Sequence, residues 1–318
     1  MELLKEIAAL IRARDRFFLV THVNPDGDAL GSMLALALGL KGLGKEVWPY
    51  LEEEVPRVYR WLPGLSQVRY SLPGDLSWTA LVLDCGDLSR VGGAAEFLEE
   101  LREVVVLDHH EVSGNLGHLR LVEPVFATGA LVFRLLRELS LPLTREIAEN
   151  LYTAIFSDTG GFRFQQTTAE AFAMAKELAE AGADPAKIAE RLTEHYPLSR
   201  FCLLRRVLER LRLLAEGRVA ISLLKSEDYE RCQATKADPE DFATFLRSID
   251  GVEVTALIKE FRPGEISVSL RSRGQVNVAW LAARFGGGGH RCAAGFRLKD
   301  DPSRFSLILG QELEALFA

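Results

Sequence analysis

The chain has 318 residues, of which 48% are hydrophobic and 26% are charged, and its formal net charge is −7 at pH 7. This length suits two domains better than a single core. The negative net charge argues against a protein that coats long nucleic acid. No apolar run reaches the ~18 residues of a membrane-spanning helix, so the sequence predicts no membrane span.

Two further features bear on the compartment. The first residues, MELLKEIAALIRARDRF, carry charges throughout and lack the continuous apolar core of a signal peptide. The four cysteines, Cys85, Cys202, Cys232 and Cys292, lie far apart. Their spacing predicts reduced thiols in a cytoplasmic protein.

The first half of the chain predicts an α/β domain with a doubly wound, mostly parallel sheet. An amphipathic helix is followed by a short apolar strand at 17–21, a polar loop and an apolar helix. Strand, polar loop and buried helix form the first unit of such a sheet. Further strands are predicted at 46–51, 79–83 and 104–107, whereas residues 52–78 are rich in turn-forming residues.

Three of these predicted strands run into acidic or histidine side chains. In chain order these are His22, Asp26 and Asp28, then Asp84, then Asp108, His109 and His110. Asp158 follows a fourth apolar segment, LYTAIFS. Because ligands bind at the carboxyl ends of parallel strands, we expect these side chains to share one site. Two ordinary alternatives stay open: an Asp-His-His strand end in solvent, and Asp28 as a helix cap.

The chemistry of this set favours a metal site. So many carboxylates and imidazoles exceed what a core tolerates without charge compensation. An oxygen-rich set with imidazoles suits Mn²⁺, Mg²⁺ or Co²⁺ better than zinc held by thiolates. Four carboxylates would balance two divalent cations, namely Asp26, Asp28, Asp84 and Asp158. Two metals about 3.5–4 Å apart are the usual apparatus for in-line attack on phosphorus.

The pattern changes at Arg218 to alternating strands interleaved with helices. We therefore predict an N-terminal domain at 1–187, a helical linker at 188–216 and a smaller α+β domain at 217–318. Six arginines lie between Phe261 and Arg297, against the single acid Glu265. This local excess of positive charge predicts a site for a small anionic ligand.

Four segments, in this order, resemble the motifs of the DHH phosphoesterase superfamily: HVNPDGDALGS, VLDCGD, VVVLDHHE and FSDTGGF. The later segment SLRSRGQVNVAWLAARFGGGGHRCAAGF resembles the associated DHHA1 domain. With two domains and this length, the chain is most similar to the NrnA-type nanoRNase and pAp phosphatase branch. The resemblance implies an enzyme that degrades short RNA to mononucleotides and dephosphorylates 3′-phosphoadenosine 5′-phosphate (pAp) to AMP.

The resemblance also implies the metal ligands. A first metal would be held by His22, Asp26 and Asp84. A second would be held by Asp28, Asp84, His109 and Asp158, so that Asp84 bridges the two. The cofactors would be two divalent ions, Mn²⁺ before Mg²⁺ or Co²⁺. Asp87, in contrast, precedes a predicted helix and is expected to cap it.

Catalytic and substrate-binding residues follow from the same resemblance. His110 would face the substrate beside Asp84, and Asp108 would fix an imidazole tautomer. Substrate contacts would come from Asn115, Arg271, Gly286, Gly287, Gly288, Gly289 and His290. The partners would be pAp and single-stranded oligonucleotides of about two to five nucleotides.

Other functions share this chemistry. They are a RecJ-like single-strand exonuclease, a linear-dinucleotide or cyclic-dinucleotide phosphodiesterase, and a manganese pyrophosphatase. The GGGGH segment argues against the pyrophosphatase, and the short chain lacks the added modules of RecJ enzymes and of cyclic-dinucleotide phosphodiesterases. A regulatory module without catalysis is disfavoured because every expected ligand is present. The oligomeric state stays open, with a homodimer among the alternatives.

Overall fold

The computed structural model describes residues 2–110 and 114–317, except the side chain of His290. The chain divides into two compact units, Met1–His195 and Tyr196–Ala318. Within the described ranges, no helix combines the length and the apolar character needed to cross a membrane.

The first unit contains five strands and seven α-helices among its described residues. The strands are β1 (Arg16–Val20), β2 (Glu46–Tyr50), β3 (Thr79–Leu83), β4 (Glu103–Asp108) and β5 (Leu119–Val122). The helices are α1 (Glu2–Ala13), α2 (Gly27–Gly42), α3 (Ala95–Glu100), α4 (Thr128–Glu138), α5 (Arg145–Asp158), α6 (Ala169–Glu180) and α7 (Pro185–Thr193). All five strands pair in parallel, in the order β2-β1-β3-β4-β5. The predicted parallel sheet is confirmed.

Apolar layers cover both faces of this sheet, which is why its central strands are apolar at nearly every position. Phe17 and Leu19 of β1 pack into a core with α1, α2, α4 and α5. Phe18 and Val20 face the opposite layer, which contains Leu98 of α3. A strand buried on both faces needs this continuous pattern rather than alternation.

Helix α2 is the most enclosed helix of the unit and packs closely against α5. A Cβ added at Gly31 would lie 2.4 Å from the main-chain oxygen of Asn150 and 3.1 Å from the Ala154 Cβ. Only a residue without a side chain fits at this distance. The close approach holds the N-terminal end of α2 and the C-terminal end of α5 in fixed positions.

The second unit contains a six-stranded mixed sheet. Its strands are β6 (Arg212–Leu214), β7 (Val219–Leu224), β8 (Val254–Arg262), β9 (Glu265–Ser272), β10 (Gly288–His290) and β11 (Ala293–Lys299). Its helices are α8 (Leu198–Glu209), α9 (Ser226–Cys232), α10 (Phe242–Leu246), α11 (Val278–Arg284) and α12 (Pro302–Glu314). The order is β10-β11-β9-β8-β7-β6, with β7 and β8 parallel and the other pairs antiparallel. This agrees with the predicted α+β character.

The predicted linker at 188–216 is not helical to its end. Helix α8 ends at Glu209, and residues 212–214 form β6. Ala215 and Glu216 have positive φ angles of 50° and 57° and turn the chain back. Pairing of Leu214 with Val219 gives these residues hydrogen bonds from another strand, which a local pattern does not reveal.

The prediction of four reduced cysteines is wrong for one pair. Cys202 of α8 and Cys232 of α9 form a disulfide, with Cα atoms 5.6 Å apart. Cys85 is buried and Cys292 half-buried, and both are free thiols. The disulfide depends on the packing of α8 against α9, so the spacing of 30 residues gave no sign of it. Cysteine content therefore no longer supports a cytoplasmic location.

Gly31→Ala should destabilise the protein although alanine favours helix. The added methyl group would force α2 away from the Asn150 carbonyl, and we expect Tm to fall by about 5 °C. Gly42→Ala is the matched control, because no atom lies within 4 Å of the Cβ position there. Thermal denaturation of both variants checks the expectation, and equal Tm values would contradict the packing argument.

Candidate metal centre

The predicted site residues meet at one edge of the parallel sheet. Strands β1, β3 and β4 are neighbours, and their carboxyl ends lead into His22, Asp84 and Asp108 respectively. The first turn of α2 contributes Asp28, and Asp158 is the last residue of α5. The sheet order and the close packing of α2 on α5 thus bring residues far apart in sequence to one place.

A first group consists of His22, Asp26 and Asp84, whose ligand atoms all lie within 4.8 Å of one another. The Nε2 atom of His22 is 3.5 Å from Asp84 Oδ2. The Nδ1 atom is 2.9 Å from the Val23 carbonyl oxygen, which can only accept. In the neutral ring Nδ1 therefore carries the proton, and the lone pair of Nε2 faces the carboxylates.

A second group consists of Asp28, His109 and Asp158, within the same 4.8 Å limit. The Nε2 atom of His109 is 3.8 Å from Asp28 Oδ2 and 3.8 Å from Asp158 Oδ2. Its Nδ1 donates to the Val125 carbonyl oxygen at 3.0 Å. The two distances of 3.8 Å from Nε2 are too long for direct hydrogen bonds. They are short enough for all three side chains to bind one ion.

Asp84 lies between the two groups. Its Oδ2 faces His22, and its Oδ1 is 3.5 Å from His109 Nε2. The residue is 2% exposed, and its φ of 57° is in the left-handed region, where a residue with a side chain is strained. The geometry therefore lets one carboxylate serve both groups.

Asp108 and His110 form a pair next to this centre. His110 Nδ1 lies 2.6 Å from Asp108 Oδ1, and Asp108 is 1% exposed. His110 Nδ1 is also 3.7 Å from Asp84 Oδ1. A buried carboxylate that accepts from Nδ1 fixes the ring and its tautomer. The ligand atoms of Asp84, His109 and His110 form a third cluster within 4.8 Å.

Electrostatic repulsion dominates the centre in the absence of cations. Burial, together with the charges of Asp84, Asp158 and Asp26, raises the pKa of Asp28 well above its usual value. Burial likewise raises the pKa of Asp158 to about 6, against the charge of His109. Burial also works against ionisation of Asp84, but its hydrogen bond with His22 and the neighbouring imidazoles lower its pKa. A buried cluster of this charge and donor type fits divalent cations.

Residues 125–129, which the motif reasoning did not identify, contact three of the proposed ligands. Besides the Val125 carbonyl on His109, the Thr128 hydroxyl donates to Asp84 Oδ1 at 2.8 Å. The main-chain N–H groups of Thr128 and Gly129 donate to Asp28 at 2.6 and 2.9 Å. These are the first two residues of α4, so the orphan donors of a helix start hold a buried carboxylate. The sequence signal for these donors is a Thr-Gly pair at the start of an apolar helix.

The structure also decides which aspartate caps α2. Asp26 is the N-cap and accepts from the N–H groups of Asp28 and Ala29, each at 3.0 Å. Asp28 instead points inward and also accepts from the Ser32 hydroxyl at 3.0 Å. The alternative reading of Asp28 as a helix cap is therefore wrong. Asp87 caps the short 3₁₀ helix at 88–90, as expected.

The predicted substrate-binding residues, unlike the metal ligands, belong to both units of the chain. Asn115 is exposed in the loop between β4 and β5. Arg271 is half-buried on β9 and donates to the Leu270 carbonyl oxygen. A Cβ at Gly287 would lie 2.2 Å from the main-chain oxygen of Gly295, so part of the Gly286–Gly289 segment is required for packing. The side chain of His290 lies outside the described part of the chain.

Comparison with known families agrees with this arrangement. The N-terminal domain model of the DHH family matches residues 16–155, and the DHHA1 domain model matches residues 219–318. The chain belongs to the DHH/DHHA1 phosphoesterase family. It is 35% identical over 303 residues to the bifunctional oligoribonuclease and PAP phosphatase NrnA of Thermus thermophilus, covering 94% of this chain and 89% of that protein. It is 27% identical to the NrnA protein of Bacillus subtilis, covering 91% of each.

Two solved structures are also similar to this chain along almost its whole length. An exopolyphosphatase-related protein from Bacteroides fragilis superposes with a TM-score of 0.92 at 26% identity, covering 99% of this chain and 97% of that one. A manganese-bound exonuclease RecJ superposes with a TM-score of 0.57 at 20% identity, covering 99% and 94%. The RecJ likeness shows a shared DHH fold.

Thr128→Val should weaken metal binding while the DHH fold is retained. The change removes the hydroxyl donor on Asp84 but keeps the main-chain donors on Asp28. We expect the dissociation constant for Mn²⁺, measured by calorimetry on metal-stripped protein, to rise about tenfold.

Two variants complete this test. Thr128→Ser keeps a hydroxyl group and should bind Mn²⁺ almost as the parent protein does. Thr153→Val is the matched control, since that buried hydroxyl donates only within α5, to the Glu149 carbonyl oxygen. An unchanged Mn²⁺ affinity in Thr128→Val, or an equal loss in Thr153→Val, would show that the hydroxyl does not position Asp84.

The metal-free protein should lose stability as pH rises from about 5 to about 8. Asp28 and Asp158 have raised pKa values in the folded state, so they contribute stability at low pH that is lost as they ionise. The pKa values of His22 and His110 are also raised: burial opposes this, but hydrogen bonds to carboxylates outweigh it. All four shifts therefore have the same sign, and Tm in EDTA should fall over this range. Excess Mn²⁺ should raise Tm more at the upper pH, and a Tm in EDTA that rises with pH would refute the assignment.

Proposed function

We propose that this chain is a metal-dependent phosphoesterase that hydrolyses short RNA oligonucleotides to mononucleotides and converts pAp to AMP. The observation that carries the proposal is the convergence of two ligand groups on Asp84. It occurs in a chain that aligns over 94% of its length with a relative named for both activities. Shared fold alone would not indicate substrates, whereas this donor set indicates phosphoryl chemistry.

The proposed metal ligands are His22, Asp26 and Asp84 for one ion, and Asp28, Asp84, His109 and Asp158 for the other. Carboxylate and imidazole donors favour Mn²⁺, with Mg²⁺ or Co²⁺ as alternatives. Two bound divalent cations would supply an activated water and stabilise negative charge on the phosphoryl oxygens.

The protein's own groups prepare this centre before substrate arrives. The carbonyl oxygens of Val23 and Val125 orient His22 and His109. Thr128 fixes the shared carboxylate of Asp84. Because these contacts are already made, little reorganisation is needed during the reaction.

We assign proton transfer to His110, supported by Asp108. Burial disfavours the protonated imidazole, but the hydrogen bond that Nδ1 donates to Asp108 and the charge of Asp84 outweigh burial and raise the pKa of His110. A protonated His110 can donate to the leaving oxygen or bind a phosphate oxygen. Asp108 keeps Nδ1 protonated and so leaves Nε2 as the exchangeable position.

Substrate binding in the second unit is proposed for Arg271, the Gly286–Gly289 segment and His290, with Asn115 as a further contact from the first unit. Arginine offers a planar pair of donors to a phosphate, and glycines let main-chain N–H groups approach an anion. Positive φ angles at Gly286 and Gly289, of 73° and 136°, are consistent with a loop that only glycine forms easily. We also propose a cytoplasmic location for this activity.

Product analysis with Mn²⁺ tests the proposal. Parallel reactions would contain a 5′-phosphorylated RNA dinucleotide, pAp, a long single strand and pyrophosphate. Mononucleotides from the dinucleotide and AMP from pAp, with pyrophosphate intact, are the expected outcome. Rapid degradation of the long strand would indicate a RecJ-like exonuclease, and phosphate from pyrophosphate alone would indicate a pyrophosphatase.

Asp84→Asn should lower kcat for both substrates by about a thousandfold or more, since the shared carboxylate would be lost. Tm in EDTA should not fall much, because the variant also removes charge repulsion with Asp28. Asp87→Asn is the matched control: this exposed carboxylate caps a 3₁₀ helix nearby, and its kcat should stay within about twofold. A turnover rate in Asp84→Asn close to that of the parent protein would exclude the shared-ligand role.

A further inference from the structure

One face of the second unit's sheet is left open where β9 and β11 pair. Residues alternate between faces, and the register sets three pairs side by side on this face: Arg271 with Ala293, Ser269 with Gly295, and Ser267 with Arg297. The opposite face of the same strands is filled by apolar side chains from α11 and α12. The open face is therefore not needed to build that core.

The neighbouring strands on the same side are covered. Ala220 of β7 and Leu257 of β8 are buried in a separate core with α8, α9 and α10. These helices stop short of the surface formed by Ser267, Ser269 and Gly295, which is half-buried. The sheet therefore changes from a closed to an open surface between β8 and β11.

The open surface forms a depression of about 410 Å³. Its floor consists of small residues, Ser267, Ser269, Ala293 and Gly295, with Gly288 of β10 alongside. Its charged lining residues are Arg271 and Arg297, and no carboxylate lines it among the side chains that the structure describes. A solvent-facing sheet ordinarily carries larger side chains, and their absence leaves open space over these strands. The volume of this space and its arginines suit an anionic ligand.

A third cation lies at the Arg297 end. Lys259 of β8 pairs with Ser267 in the β8–β9 register and so shares this face. Burial lowers the pKa of the Lys259 ammonium group, and the positive charges of Arg271, Lys236 and Arg297 lower it further. Glu240 acts in the opposite sense. Repulsion among these cations would be relieved by a bound anion.

The two ends of the depression are well separated. Arg271 and Ser267 are four residues apart on β9, or about 13 Å along an extended strand, and Arg297 lies opposite Ser267. Cationic ends whose main-chain positions lie this far apart can contact different phosphates of one strand, with a nucleoside over the small residues between them.

We propose that Lys259 and Arg297 form a second phosphate subsite, which binds a phosphodiester further along a single-stranded oligonucleotide than the phosphate held at Arg271. This inference rests on the proposed function and extends its substrate-binding surface. It makes affinity depend on oligonucleotide length: a pentanucleotide reaches both ends of the depression, whereas a mononucleotide reaches only one.

Binding of a 5′-fluorescein-labelled RNA pentanucleotide to the full chain in EDTA tests the subsite, with fluorescence anisotropy as the readout. Lys259→Ala and Arg297→Ala should each raise Kd about fivefold, and each should reduce the salt slope of log K by about 0.7. AMP affinity, measured by competition against a labelled mononucleotide, should stay within about twofold. Arg304→Ala is the matched control, since Arg304 lies on α12 behind the opposite face.

Unchanged pentanucleotide affinity and salt slope in both variants would overturn the subsite. An equal loss in Arg304→Ala would also overturn it, because net charge rather than position would then explain the effect. Hydrolysis of the RNA dinucleotide by the parent protein is measured separately with Mn²⁺. Its absence would refute the proposed function, whereas the binding comparison in EDTA reports on the subsite alone.

Discussion

Repulsion among four carboxylates at one edge of the parallel sheet is the constraint on which the first unit depends. Asp28 and Asp84 are buried and Asp158 is half-buried, so water screens their charges poorly. The protein compensates with fixed donors: the start of α4 on Asp28, the Thr128 hydroxyl on Asp84, and imidazoles between the two groups. The same contacts fix the carboxylates of Asp28 and Asp84 in the centre. Structural stabilisation and preorganisation of the site therefore come from the same hydrogen bonds.

Backbone geometry contributes to this preorganisation. Asp84 follows a fully buried strand and takes a left-handed conformation, which turns its carboxylate between the two ligand groups. Such strain persists only where the surroundings enforce it, and here β4 does so by accepting the Asp84 N–H at the Leu107 carbonyl oxygen. Close packing of α2 on α5 through Gly31 sets the positions of Asp28 and Asp158 in the same way.

The second unit uses small residues for two purposes. Gly287 and Gly289 are required where main-chain atoms of β10 and β11 approach each other, so part of the glycine-rich segment serves packing. Ser267, Ser269 and Gly295 leave open space over the sheet instead. The packing role of these glycines does not depend on a ligand. The open space over the serines and Gly295 has a role only if a ligand occupies the depression, and the arginines at its ends indicate an anionic ligand.

Local sequence determined the chemistry of the centre: apolar runs ending in His22, Asp84 and the Asp108–His110 stretch predicted both the parallel strands and the residues at their ends. Tertiary structure alone decided how those residues are held. Thr128 and Gly129 bind Asp28 across 100 and 101 residues, and Cys202 pairs with Cys232 because two helices pack together. Periodicity and motif spacing describe neighbours along the chain, where side-chain chemistry and strand or helix preference reside. Contacts between distant segments depend on the packing of the whole unit, so neither the donors on Asp28 nor the disulfide could be read from the sequence.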